Sequence, residues 1–148
     1  MLTFNVSYFL GLFPRLSTAL PFTIEVIIAS IVLCLFFGTL VAVIRIAKVP
    51  ILHQICEVWL SYNRSMPFIL DLYLVYFVLP VIVRAFHISP DGWPLTTYVL
   101  IALGFHYTPV ISEIIRPAYL SVDRGQHEAA MVFGLSPFHR VVHIIAPQ

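Results

Sequence analysis

The sequence predicts an all-α membrane protein, and three observations carry that prediction. Hydrophobic residues make up 60% of its 148 residues and charged residues only 10%, against about 45–50% and about 25% in soluble domains. Mean hydropathy is +0.96. Three long stretches nearly devoid of charge follow one another along the chain. A soluble domain of this length needs more charge on its surface, so the deficit calls for a bilayer. The formal net charge is only +1, and no basic patch interleaved with aromatics appears, so nothing here recruits nucleic acid.

The stretch from Met1 to Pro21 lacks a basic leader, its one arginine, Arg15, following Pro14, so it does not read as a cleaved signal peptide. Phe4, Tyr8, Phe9 and Phe13 mark residues 1–21 as an external segment lying at a membrane interface. The first span runs from Phe22 to Ile46. Its 19 uncharged residues, Val26 to Ile44, nearly cover a hydrocarbon core of about 30 Å at about 1.5 Å each. The second occupies the 19 residues from Ser65 to Val83, with one charge at Asp71 and with Pro67 and Pro80 at its ends. The third starts at Pro94 or Leu95, since proline suits a first helical turn. It is uncharged to Glu113 apart from the titratable His106, and Arg116 closes it. Residues 22–118 thus form a three-helix membrane region.

Cys34 falls in an apolar run and Cys56 in a short polar connection; with no CxxC or Cys/His metal pattern, both read as unpaired thiols. Gly38 and Gly104 read as points of close helix packing. Lys and Arg accumulate on the cytoplasmic side of membrane proteins. Three spans place Arg45, Lys48, Arg64, Arg116, Arg124 and Arg140 on one side and only Arg15 and Arg84 on the other. That balance predicts an external N-terminus and a cytoplasmic C-terminal tail.

Residues 119–148 read as two short helices. Asp123 caps the first, with Gln126 reaching back in a box-like arrangement. Gly134 ends it in the left-handed conformation. Ser136 and Pro137 restart a helix as a cap and a first-turn proline. There Phe138, Val141, Val142 and Ile145 recur at helical spacing opposite His139, Arg140 and His143. The outcome is an L-shaped amphipathic element.

The run from Gly125 to Gln148, GQHEAAMVFGLSPFHRVVHIIAPQ, resembles the EAA loop of ABC importer permeases. Glu128, Ala129, Ala130, Gly134, Ile144 and Pro147 fall in its register, while Ala146 replaces the usual leucine. Gly125 and Gln126 before the glutamate, and Gln148 after the proline, resemble the polar amino-acid branch. Tyr62 to Pro80 is similar to that branch's Tyr-x-x-x-Arg-Gly-Thr-Pro segment, with Arg64 and Pro67 kept and Ser65-Met66 replacing Gly-Thr. Ser112 to Pro117 is similar to its Glu-x-x-Arg-Gly, with Pro117 replacing glycine.

This resemblance implies a partial type I ABC importer permease fold in a bacterial inner membrane, in which three transmembrane helices precede a cytoplasmic coupling helix. It implies that Gly125, Gln126, Glu128, Ala129, Ala130, Gly134 and Pro147 couple the chain to an ATP-binding cassette ATPase. The partners implied are that ATPase, an extracytoplasmic amino-acid-binding protein, a second permease subunit in a homo- or heterodimer, and membrane lipid. The chain contains no GxxxxGK[ST] phosphate loop. It is therefore expected to be a transport subunit and no enzyme, with ATP and Mg in the partner and no cofactor of its own. Family members continue through about two further helices.

Ionisable residues inside a membrane are costly and mark functional positions. Arg64 and Asp71 are seven residues apart on the second predicted helix, and His106 and Glu113 are seven apart on the third. Pro67 and Pro109 are expected to interrupt those helices and free backbone groups. Arg64, Asp71, His106 and Glu113 are thus the candidates for the substrate path, an acid meeting the ammonium group of an amino acid. Against this, Arg64, Glu113 and Arg116 also suit helix ends that snorkel or pair. His106 also suits a hydrogen bond between helices, and Asp71 an ion pair with Arg64. A different reading of the whole chain is a membrane scaffold that binds an ATPase without moving substrate. A membrane enzyme has little support, since no nucleophile–base pair or metal-ligand spacing stands out.

Overall fold

A computed structural model describes residues 6–148, and these form helices joined by short turns. The first helix, α1 (Val6–Ile46), is 41 residues long, about 60 Å, or twice a hydrocarbon core. Pro14 and Pro21 lie inside it without ending it. Nearby hydroxyls turn back onto the helix: Ser17 Oγ donates to the Pro14 carbonyl at 2.8 Å and Thr18 Oγ1 to the Arg15 carbonyl at 2.7 Å. Residues 6–21 are thus an unbroken continuation of the first span. Phe4 lies outside the described residues.

A short turn leads to α2 (Leu52–Ser65). Lys48 at φ 49° and Ile51 at φ 68° both take the left-handed region, which is unfavourable for a β-branched residue such as Ile51. The polar connection expected here is therefore largely helix, and Cys56 is buried in its inner face beside Val41 and Leu60. Burial pushes its thiol up from the ordinary value. Met66 and Pro67 then take extended backbone and open α3 (Phe68–Ala85), as the restriction before proline requires. This corrects one expectation: Arg64 and Asp71 do not share a helix, because the chain breaks between them.

The helix α3 ends with the Ile88 amide donating to the Val83 carbonyl at 3.1 Å and the His87 amide to the Arg84 carbonyl at 3.0 Å, with His87 at φ 61°. That is a Schellman ending with histidine where glycine is usual. A short loop, tied by Arg84 to Asp91 and by Ser89 Oγ to Asp91 at 2.9 Å, leads to α4 (Leu95–Ser121). Pro109 does not interrupt α4, nor does Pro117; the helix continues through both and passes Arg116 to reach Ser121.

The helices α1, α3 and α4 are each long and apolar enough to cross a membrane. Arg45 near the end of α1 bonds Ser112 in the second half of α4, and Phe22 and Val26, earlier in α1, line one cavity with Leu95 and Val99 at the start of α4, so these two run parallel. Their crossing is tight at Gly38, where an added Cβ would stand 2.7 Å from Ile111 Cβ and 3.2 Å from the Thr108 carbonyl oxygen. Gly104 does not have this role. Nothing lies within 4 Å of where its Cβ would be, and it borders an apolar groove with Phe37, Trp59 and Phe105.

Two short helices finish the chain: α5 (Arg124–Val132) and α6 (Pro137–Arg140), the latter running into a π-helical turn over Val141–Ile145. Asp123 caps α5 by accepting from the Gly125 amide at 2.6 Å. The expected box does not close, because the Gln126 side chain bonds Gln148 instead. Gly134, at φ 72°, ends α5 with the Leu135 amide on the Ala130 carbonyl at 3.0 Å. Ser136 caps α6 through the His139 amide. The wider π turn changes the register after Arg140, so Val141 and Ile145 pack toward Ile115 and Ala118 of α4, while Phe138 stays exposed.

Candidate functional site

Three consecutive residues at the end of α2 each take hold of a different point on the neighbouring helices. Tyr62 donates from its hydroxyl to Asp71 Oδ1 of α3 at 2.8 Å. Asn63 Nδ2 donates to the His106 carbonyl of α4 at 2.6 Å. Arg64 Nη2 lies 2.8 Å from Glu113 Oε1 of α4. A single amphipathic turn thus fixes the α2–α3 corner against α4, which explains how the Met66–Pro67 break is held.

Asp71 has no exposed surface. Its second oxygen, Oδ2, lies 2.6 Å from His106 Nδ1, so imidazole and phenol together satisfy a carboxylate that would otherwise be prohibitively costly to bury. The His106 ring is edge-on to Phe68 and Tyr107, with centroids 5.4 and 4.9 Å away. Asp71 therefore pairs with His106 rather than with Arg64, and Arg64 pairs with Glu113. The four candidate path residues form two separate pairs, a carboxylate–imidazole contact and an Arg–Glu ion pair, both hung from one face of α4. Burial, with the hydrogen bond to Asp71 behind it, raises the Tyr62 hydroxyl above its ordinary value.

A third polar cluster joins α1, α2 and α4. Arg45, only 6% exposed, donates from Nε to Glu57 Oε1 at 2.9 Å and from Nη1 to Ser112 Oγ at 3.0 Å. His53 Nδ1 lies 3.5 Å from the same Glu57 oxygen. The hydrogen bond from Arg45 holds the Glu57 carboxyl below its ordinary value. Sequence reading missed this cluster. A basic residue closing an apolar run looks like an end marker, and neither Glu57 nor Ser112 carries a motif that would point back to it.

The terminal elbow splits the expected coupling residues. Gly125, Gln126, Glu128, Ala129, Gly134 and Pro147 are exposed, whereas Ala130 is 3% exposed. Of the two alanines expected to couple, only Ala129 faces outward, since Ala130 packs inside the elbow. One turn past Glu128 the end of α5 is instead apolar and bulky: Val132 and Phe133 are 86% and 82% exposed, and beyond the bend Phe138 is 71% exposed. The elbow is anchored to the end of α4 by the Tyr119–His127 ring contact, with centroids 5.5 Å apart. Val141 and Ile145 complete that seat. No group of side chains able to hold a metal ion occurs among the described residues.

Three spanning helices and a hooked amphipathic end define an all-helical membrane protein. Residues 34–148, most of the chain, match the family described as binding-protein-dependent transport system inner membrane component, and the chain belongs to that family. It is 33% identical over 150 residues to the probable amino-acid permease protein YxeN of Bacillus subtilis, a match covering 100% of this chain and 64% of that protein. It is 36% identical over 126 residues to the probable glutamine ABC transporter permease protein GlnP of the same organism, covering 85% of this chain and 55% of that one. A solved structure described as an amino acid ABC transporter with histidines superposes with a TM-score of 0.75 at 22% identity, covering 99% of this chain and 65% of that one. The fold is thus a partial type I permease fold, and the chain spans less than two thirds of the length of these relatives.

Proposed function

We propose that this chain belongs to the membrane-spanning part of an ATP-driven amino-acid importer, forming part of the translocation path and docking an ATP-binding cassette ATPase through its elbow. The observation that carries the docking is the exposure of Val132 and Phe133, one turn past Glu128 at the end of α5. Apolar surface of this kind outside the spans suits a protein partner, and Glu128 beside it offers a carboxylate to a basic donor. Hydrolysis of ATP belongs to that partner, which also carries the nucleotide and Mg. A binding protein delivers substrate from outside, a second permease subunit completes the pore, and the elbow faces the cytoplasm of a bacterial cell.

The substrate path runs beside Arg64, Asp71, His106 and Glu113. Arg64 and Glu113 keep exposed side chains, so they are placed to meet the charged groups of an amino acid directly. Asp71, with no exposed surface, acts through the imidazole it holds. Amino acids as substrates are supported by the names of the relatives, and the path by the presence of Asp71, His106 and Glu113 on spanning helices, with Arg64 paired to one of them.

Replacing Glu128 by Ala, or Gly134 by Val, in the full chain assembled with its ATPase and binding protein is expected to abolish substrate-stimulated ATP hydrolysis while membrane insertion persists. Stimulation unchanged in both variants removes the docking role. Uptake assayed with cationic, neutral and acidic amino acids then tests the substrate class.

A further inference from the structure

The helix α4 is continuous from Leu95 to Ser121, and the elbow touches its end through the Tyr119–His127 ring contact, with the buried Ile145 facing Ile115 and Ala118 across one cavity. A force on the elbow therefore reaches α4 first. What it reaches next depends on what α4 holds. Ser112, with no exposed surface, accepts from the Arg45 guanidinium at 3.0 Å, and the same guanidinium holds Glu57 at 2.9 Å. One side chain thus ties the elbow-bearing helix to the longest helix of the chain and to the strut formed by α2. Val41, Cys56 and Leu60 close an apolar core directly behind it.

The chemistry suits a joint rather than a filler. Guanidinium is a planar fork whose donors reach two partners in fixed directions, which an ammonium does not reproduce. A buried charge stripped of partners is strongly unfavourable, so α1, α2 and α4 must shift together or not at all while Arg45 keeps both bonds. We infer that Arg45 is a positioning residue: with Glu57 and Ser112 it forms the joint through which displacement of the elbow is delivered to α1 and α2. This rests on the coupling role proposed above, and it assigns to Arg45 a task separate from contact with substrate or ATPase.

The test uses the full chain assembled with its ATPase and binding protein in proteoliposomes, comparing the unmodified complex with Ser112→Ala, Glu57→Gln and the double variant. Ser112→Ala removes one bond and leaves the ion pair, so the complex assembles. Each single variant is expected to lower amino-acid uptake per ATP hydrolysed by about three- to ten-fold, the factor one hydrogen bond contributes, with KM for uptake unchanged within about two-fold. The double variant should fall no further than the worse single one, because coupled partners act as a unit. Coupling unchanged in both single variants overturns the inference. So does a parallel loss of uptake and ATP hydrolysis that follows the amount of assembled complex, since that is the mark of a merely structural role. If the unmodified complex shows no uptake, the import reading itself fails; normal uptake with unaltered coupling in the variants sinks the joint alone.

Discussion

Two pairs, each built on one carboxylate, hang from the same face of α4, seven residues apart, and they differ in almost everything else. The Asp71–His106 pair is sealed, with side chains 0% and 13% exposed, while the Arg64–Glu113 pair is open at 63% and 35%. Both join α4 to the α2–α3 corner. Their positions on the corner differ: Asp71 enters in the first turn of α3, behind Tyr62 and Phe68, whereas Arg64 lies in the last turn of α2, before Pro67 turns the chain inward. A single helix break thus separates a structural charge from an available one. The open pair is free to exchange partners, and the sealed pair is not.

The largest effect expected from disturbing this contrast comes from Asp71→Ala. Removing the carboxylate leaves His106 and Tyr62 without their acceptor, and the loss of a buried partner typically costs about 3–5 kcal/mol. Asp71→Asn, which keeps the shape and one hydrogen bond, should cost about 1–3 kcal/mol. Thermal unfolding of the detergent-solubilised chain measures both. Equal and negligible shifts would mean that the pair is not sealed in the membrane. A smaller effect is expected of Arg64→Gln, about 0–1 kcal/mol, and increasing salt should reduce it further because the pair is exposed. A salt-independent loss as large as that of Asp71→Ala would erase the distinction between the two pairs.

A separate effect, read along pH, concerns Glu57, whose carboxyl is held below its ordinary value of 4.5 chiefly by the hydrogen bond from Arg45. A depressed carboxyl contributes stability that is present above its unfolded value and is lost as pH falls through its folded value. Unfolding followed on descending pH should therefore show a stabilising contribution that disappears only below the ordinary carboxylate range. Glu57→Gln should flatten that limb. An unchanged acid limb in this variant would remove Glu57 as a source of the pH dependence.

Much of the fold was legible because the bilayer imposes a simple code of length and charge. The spans ending near Ile46 and starting near Leu95 follow from uncharged runs, and the elbow follows from Asp123, Gly134 and Ser136-Pro137, each a local backbone signal. Where the signal was not local, the reading failed. Lys48 and His87 end helices in the left-handed conformation as Gly134 does, but neither residue type announces it. Gly38 and Gly104 look alike in sequence, yet only Gly38 has another helix against it. The charges near the membrane were legible, and so was a bond between helices for His106, which Asp71 supplies; the alternative pairing of Asp71 with Arg64 is not the one formed, since Arg64 meets Glu113.

The sequence by itself determined that this chain crosses a membrane, where α1 ends and where α3 and α4 begin to within a few residues, and that a capped, glycine-bent element closes it; the start of α1 at Val6 and the helix α2 were not among these. These are properties of single segments, set by hydrophobic length, capping side chains and backbone freedom. Only the tertiary structure decided which charge meets which: Asp71 with His106, Arg64 with Glu113, and Arg45 with both Glu57 and Ser112. The reason is physical. A buried charge takes whichever partner the packing brings within about 3 Å, and packing depends on how three helices cross, a relation that the order of residues along one of them does not contain.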